Sequence, residues 1–142
     1  MKDIVIVGAG KIGSMIAELL GGSGDYSVTV VDRSQQQLDR LETSAAITKI
    51  AVDITQGDAL RKILAGKFAV LSAAPYHATR TIAEAAKDAG AHYLDLTEDV
   101  ASTRVVKQLS DADEAFHRAA AGKYVRLKES YRCDALRKDV VG

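Results

Sequence analysis

Near its start the sequence runs Ile4-Val5-Ile6-Val7 and then at once Gly8-Ala9-Gly10-Lys11-Ile12-Gly13. A short apolar run that stops at a glycine fits a parallel strand buried on both faces. Residues 11 to 20 then place Ile12, Ile16, Leu19 and Leu20 on one stripe at spacings of three and four, as an amphipathic helix does. A buried strand, a glycine turn and a helix, in that order, leave few folds open. Gly8 would permit the tight turn, Gly10 would let backbone approach a pyrophosphate with no Cβ in the way, and Gly13 would let the helix lie close to the strand. The free N–H groups of the first helical turn, at Lys11 and Ile12, add the positive end of the helix dipole. With 11 glycines in the chain the motif alone is weak. The strand before it and the helix after it carry the meaning; a glycine-rich turn that binds nothing is the alternative.

The same alternation continues. Val28 to Val31 reads as a second buried strand ending at Asp32, and Ser34 suits the cap of a helix over 35–43 with Leu38 and Leu41 inward. Ile47 to Val52 is a third strand, and Thr55 is placed to cap a helix over 56–65 with Leu60, Ile63 and Leu64 inward. Phe68 to Leu71 is a fourth strand, with Pro75, the lone proline, in the loop after it. An Ala-rich helix over 77–89 closes at Gly90, and residues 92–96 form a fifth strand. A helix is expected over 103–121, and Tyr124 to Leu127 looks strand-like. Short loops between strands and helices imply right-handed crossovers. The expected fold is a three-layer α/β domain with a parallel sheet in the order 3-2-1-4-5. We expect that domain over residues 1–122, with 123–142 as a separate tail.

Asp32 ends the second strand, 19 residues after Gly13. A carboxylate there accepts hydrogen bonds from an adenosine ribose and repels a 2′-phosphate, which favours NAD over NADP. Arg33 beside it complicates that preference, because a guanidinium can hold a phosphate; a solvated surface charge is the plainer reading. Asp53, in Asp53-Ile54-Thr55, ends the third strand where an adenine edge would lie, or is a loop aspartate. Ser72-Ala73-Ala74-Pro75 follows the fourth strand, and small residues there leave room for a ligand. Thr97, after the fifth strand, could contact the cofactor; Glu98 and Asp99 suit the cap of the next helix. His77 stands near the crevice, whereas His92 opens its strand at the end of the sheet away from the chemistry. The sequence offers no candidate metal ligands.

Nineteen basic and nineteen acidic side chains give zero formal net charge. That argues against nucleic-acid or membrane-surface binding. No apolar run approaches the roughly 18 residues of a spanning helix, and no signal peptide is expected. One cysteine, Cys133, excludes an internal disulfide and points to the cytoplasm.

The chain resembles the N-terminal dinucleotide-binding domain of the saccharopine dehydrogenase family, also called the lysine–ketoglutarate reductase-like family. The resemblance is carried by Ile4 to Gly13, by Val30-Val31-Asp32-Arg33, by Val70 to His77, and by Ala83 to Ala91 running into His92-Tyr93-Leu94-Asp95-Leu96-Thr97-Glu98-Asp99. It implies a Rossmann-type fold, a nicotinamide cofactor and oxidation or reduction at a carbon–nitrogen bond of an amino acid. It also implies a second domain that holds the substrate, and this sequence ends where that domain would begin. On that reading the chain binds NAD or NADP, is catalytically incomplete by itself, takes an amino-acid substrate only when a second domain is supplied, and is a candidate homodimer. The alternative resemblance is to the nucleotide-sensing domain of potassium transport regulators, which also open with a strand, a glycine motif and a strand-ending aspartate.

Overall fold

The computed structural model describes residues 1–111. Five strands and five helices alternate: β1 (Lys2–Val7), α1 (Lys11–Gly22), β2 (Tyr26–Asp32), α2 (Gln35–Asp39), β3 (Ile47–Ala51), α3 (Gly57–Leu64), β4 (Ala69–Ser72), α4 (Thr79–Ala89), β5 (His92–Asp95) and α5 (Val100–Asp111). A 3-10 turn, Tyr76–Ala78, leads into α4. All four strand pairings are parallel, and the sheet order is β3-β2-β1-β4-β5, as expected from the sequence. The expected tail, its boundary at 122, Tyr124 to Leu127 and Cys133 lie outside the described residues.

Alternate residues of each strand serve opposite faces. Register sets Val7, Ser72 and Asp95 side by side across β1, β4 and β5, with Val5, Val70 and Tyr93 in the row below. This face packs on α3, α4 and α5 through Leu60, Leu64, Ile82 and Val106. The other face, with Ile4, Ile6, Val28 and Val30, packs on Ala17 of α1 and Leu38 of α2. Ile6, Leu60, Leu64 and Ile82 are fully buried. Each contributes about 1.5–3 kcal/mol through burial.

Several boundaries differ from the sequence reading. The stripe of α1 is turned: Gly13 and Ala17 are buried, Ile16 and Leu20 pack at the edge of the core, and Ile12 and Leu19 are exposed. Two small residues bring the helix axis close to the sheet, and that closeness, not the largest side chains, selects the buried face. Helix α2 stops at Asp39, yet Leu41 is still buried beyond it. Ser34 does cap α2, accepting from the Gln37 N–H at 3.2 Å. Thr55 does not cap α3; the cap position is Gln56, with no side-chain bond. Thr55 is instead engaged with Asp53. Helix α5 begins at Val100, earlier than expected, because Asp99 caps it by accepting from the Ser102 N–H at 2.7 Å. His92 is buried at the far end of β5, edge-on to Phe68, in keeping with a structural role.

Candidate functional site

The turn after β1 is clamped on both sides. The Gly8 N–H donates to the Val31 carbonyl and the Ala73 N–H donates to the Val7 carbonyl, each at 2.8 Å. Gly8 has φ +108°, open to glycine and strained for other residues. A Cβ there would also sit 3.0 Å from the Ala73 carbonyl. A Cβ on Gly13 would lie 1.8 Å from the Gly8 carbonyl oxygen, so α1 can approach the turn only as it does. Gly10 differs. A Cβ there would meet nothing within 4 Å, so no protein neighbour demands a glycine. The open space is what a bound pyrophosphate needs.

Gly10 is the N-cap of α1, offers no side-chain cap, and no acidic side chain stands in the first turn. The first-turn donors and the positive end of the helix dipole therefore face the crevice without a carboxylate of their own. Asp32 fixes this loop from across the β1–β2 boundary. Its Oδ2 accepts from the Ala9 N–H and its Oδ1 accepts from the Ser34 N–H, both at 2.8 Å. One carboxylate thus joins the glycine loop to the loop after β2, and each oxygen keeps a lone pair for a ligand hydroxyl.

A crevice of about 470 Å³ opens here, within the usual size range of ligand sites. Of the residues singled out in the sequence, Gly8, Gly10, Asp32, Arg33, Ile54, Ala73, Ala74, Pro75 and His77 line it. Asp53 lines an adjoining recess with Arg33, Ser34 and Thr55. The Thr55 hydroxyl and N–H both donate to Asp53 Oδ1, and with the Arg33 charge they hold its carboxyl below the usual range. Lys11, Ile12 and Gly13 contribute no lining side chain: Ile12 is exposed on α1, and Gly13 shapes the turn. Ser72 is buried at the end of β4 and does not line the crevice. Thr97 does not line the crevice; its N–H and hydroxyl are used within the β5–α5 loop.

Sequence reading passed over Ser34, Gln37, Thr55, Ala78 and Thr81 as lining residues. Ser34 and Gln37 had a signal, since a cap and the residue three on must share the helix end that faces Asp32. Thr81 had none, because the 3-10 turn that aims α4 depends on packing.

The geometry is that of a parallel, Rossmann-like α/β fold with a glycine-braced crevice at its topological switch point. The family model described as saccharopine dehydrogenase NADP binding domain matches residues 4–126. The chain belongs to the saccharopine dehydrogenase family. It is the family's N-terminal NADP-binding domain, and the resemblance to potassium transport regulators is not favoured. Saccharopine dehydrogenase [NADP(+), L-glutamate-forming] of Saccharomyces cerevisiae is 29% identical over 75 residues, which are 53% of this chain and 17% of the yeast enzyme. A solved structure of the L-Glu-forming yeast enzyme aligns with TM-score 0.70 at 22% identity, over 78% of this chain and 25% of that one. Lactate dehydrogenase of Eimeria maxima, solved with NADH and oxamate, aligns with TM-score 0.58 at 14% identity, over 78% of this chain and 40% of that one. These structural likenesses establish the Rossmann-type fold. This domain thus spans about a sixth of its curated relative. Its crevice suits a nicotinamide dinucleotide, and both NAD and NADP are compatible with it. Among the described residues no helix is long and apolar enough to cross a membrane.

Proposed function

We propose that the crevice takes NAD or NADP lengthwise across the switch point of the sheet, in the service of oxidation or reduction at a carbon–nitrogen bond of an amino acid. The observation that carries this reading is the Asp32 brace, which presents the glycine loop and the α1 N-terminus to one open space. Gly10 and the first-turn N–H groups hold the pyrophosphate. Asp32 takes the adenosine ribose, and Asp53 with Ile54 borders the adenine. Arg33, whose charge reaches Asp53, is the group available to a 2′-phosphate. Ser72 to Pro75 and Thr97 belong to the nicotinamide half.

The bound nicotinamide supplies the hydride chemistry. The chain's task is to fix the two ends of the cofactor and leave one ring face open. His77 is the titratable group at the open rim. The name of the yeast relative, with NADP(+) and L-glutamate in it, supports an amino-acid substrate. The rim at Pro75, Tyr76 and His77 is exposed and encloses no substrate by itself. Proximity of reactants is worth up to about 7–11 kcal/mol, and an open rim forgoes most of it. Residues 1–142 alone are therefore expected to bind cofactor and turn over little.

A second copy is the partner we propose, on the apolar stripe that α1 turns outward: Ile12, Met15 and Leu19, each more than half exposed. Sedimentation showing only monomer at micromolar concentration would remove it. The cytoplasm is the compartment we propose.

Calorimetric titration with NADH and NADPH tests the main reading. Saturable one-to-one binding that disappears in Gly10→Val supports it. Equal affinity in Gly10→Val overturns the site.

A further inference from the structure

Residues that the glycine-loop chemistry leaves unused gather at the carboxyl ends of β4 and β5. Tyr93 is 3% exposed, in the core between β5 and α4, and its hydroxyl is sealed from solvent. The hydroxyl faces the side chains of Asp95, Thr79 and Ser72, though none meets it in full hydrogen-bond geometry. Burial first, and then the Asp95 charge, push the phenol far above its ordinary range, so it stays a neutral donor turned toward a carboxylate. One Asp95 oxygen is sealed from solvent alongside it.

The other Asp95 oxygen engages the loop that follows β5. Oδ1 accepts from the Thr97 N–H at 3.2 Å. The Thr97 hydroxyl oxygen accepts from the Asp99 N–H at 3.1 Å, and Asp99 Oδ2 accepts from the Ser102 N–H at 2.7 Å. The Ser102 hydroxyl then donates to the Tyr76 carbonyl at 3.3 Å. This relay starts at the end of β5, sets the course of the loop into α5, and ties that loop to the one after β4. With adenosine on the β2–β3 side and pyrophosphate at β1, the order β3-β2-β1-β4-β5 leaves these two loops as the wall for the remaining half of a dinucleotide.

We propose that Asp95, backed by Tyr93, is a positioning residue for the nicotinamide half of the crevice, acting through Thr97 and the loop that Ser102 fastens to Tyr76. The proposal rests on the reading of the crevice as a dinucleotide site and names residues that neither the glycine motif nor Asp32 implicates. Asp95 touches no cofactor atom itself; it fixes the backbone that does.

The test compares whole cofactor with half of it on the full chain. NADH and NADPH are titrated beside ADP and 2′,5′-ADP, which lack the nicotinamide half. In Asp95→Ala, affinity for the dinucleotides should fall about tenfold, the order of one lost positioning hydrogen bond. Affinity for the two half-cofactors should stay within about twofold, a change under 0.5 kcal/mol. Amide protection at Thr97 and Asp99 should fall as well. Asp95→Asn keeps an oxygen for the Thr97 N–H and should restore most of the loss. If Asp95→Ala does not fold, Tyr93→Phe reads the same split at a smaller scale. Unchanged dinucleotide affinity overturns the proposal. So does an equal fall for whole and half cofactors that Asp95→Asn fails to rescue, since that marks a general structural role. If the unaltered chain binds no dinucleotide, the reading of the site fails first, before any variant is made, and the proposal falls with it.

Discussion

On the β1–β2 side of the crevice the wall is backbone: a turn with φ +108° at Gly8, a helix end without a cap side chain, and two main-chain N–H groups held by Asp32. On the β4–β5 side it is held by side chains, through Asp95, Thr97, Asp99 and Ser102. A backbone wall must suit a feature common to all its ligands, and a pyrophosphate is such a feature. A side-chain wall can change residue by residue without disturbing the turn. On the proposed reading, the first half retains the cofactor and the second places its reactive end.

The largest effect is expected at Gly13. In Gly13→Val a side chain must displace the Gly8 carbonyl, which an added Cβ would already approach to 1.8 Å. Overpacking of this kind costs about 3 kcal/mol or more. Chemical denaturation should show it, and an unchanged midpoint would mean that the turn is not rigid. Gly10→Val sharpens the contrast, because that position opens on empty space. Stability should change by about 1 kcal/mol at most, while dinucleotide affinity falls roughly a hundredfold, about 2.7 kcal/mol.

Asp32→Ala should do some of both. It removes two charge-assisted bonds of 2.8 Å, so about 2 kcal/mol of stability goes. Cofactor affinity should fall roughly tenfold, or about 1.4 kcal/mol. A loss of affinity without loss of stability would make Asp32 a ligand only and not a brace.

The smallest effect lies at the far end of the second half. Burial first, and the nearby Lys2 charge second, hold the His92 imidazole below its ordinary pKa. The folded state therefore binds fewer protons there than the unfolded state. Stability is fully present above about pH 6.5 and declines as pH falls through that value toward the lower folded pKa. Thermal melts between pH 7.5 and 5 should show the decline, and His92→Phe should flatten it. An unchanged slope in His92→Phe would assign the decline elsewhere.

The first half was legible in the sequence because its requirements are local. A strand that stops at Gly8, a Gly13 that admits the helix, and a carboxylate at the end of β2 are all read from spacing. The strand order followed from alternation and crossover handedness. The face that α1 buries was not legible, since the close approach allowed by Gly13 and Ala17 outweighs the bulk of Ile12 and Leu19. The place of Thr55 was missed because Asp53 competes for it with the end of α3. The Asp95 relay was invisible for a related reason. It joins Ser102 to Tyr76, 26 residues apart, and only the packing of α4 and α5 brings those loops together.

A dinucleotide lying across the switch point, held by the glycine loop and reaching toward β5, must perturb the backbone it touches. Mapping backbone amide shifts on addition of NADPH tests it most directly. The expected perturbations fall at Ala9 to Gly13, at Asp32 to Ser34, and at Ala73, Ala74 and Thr97, while the ends of the strands near Lys2 and His92 stay still. Saturating NADPH that leaves the glycine loop unperturbed, or perturbs the Lys2 and His92 end instead, would contradict it.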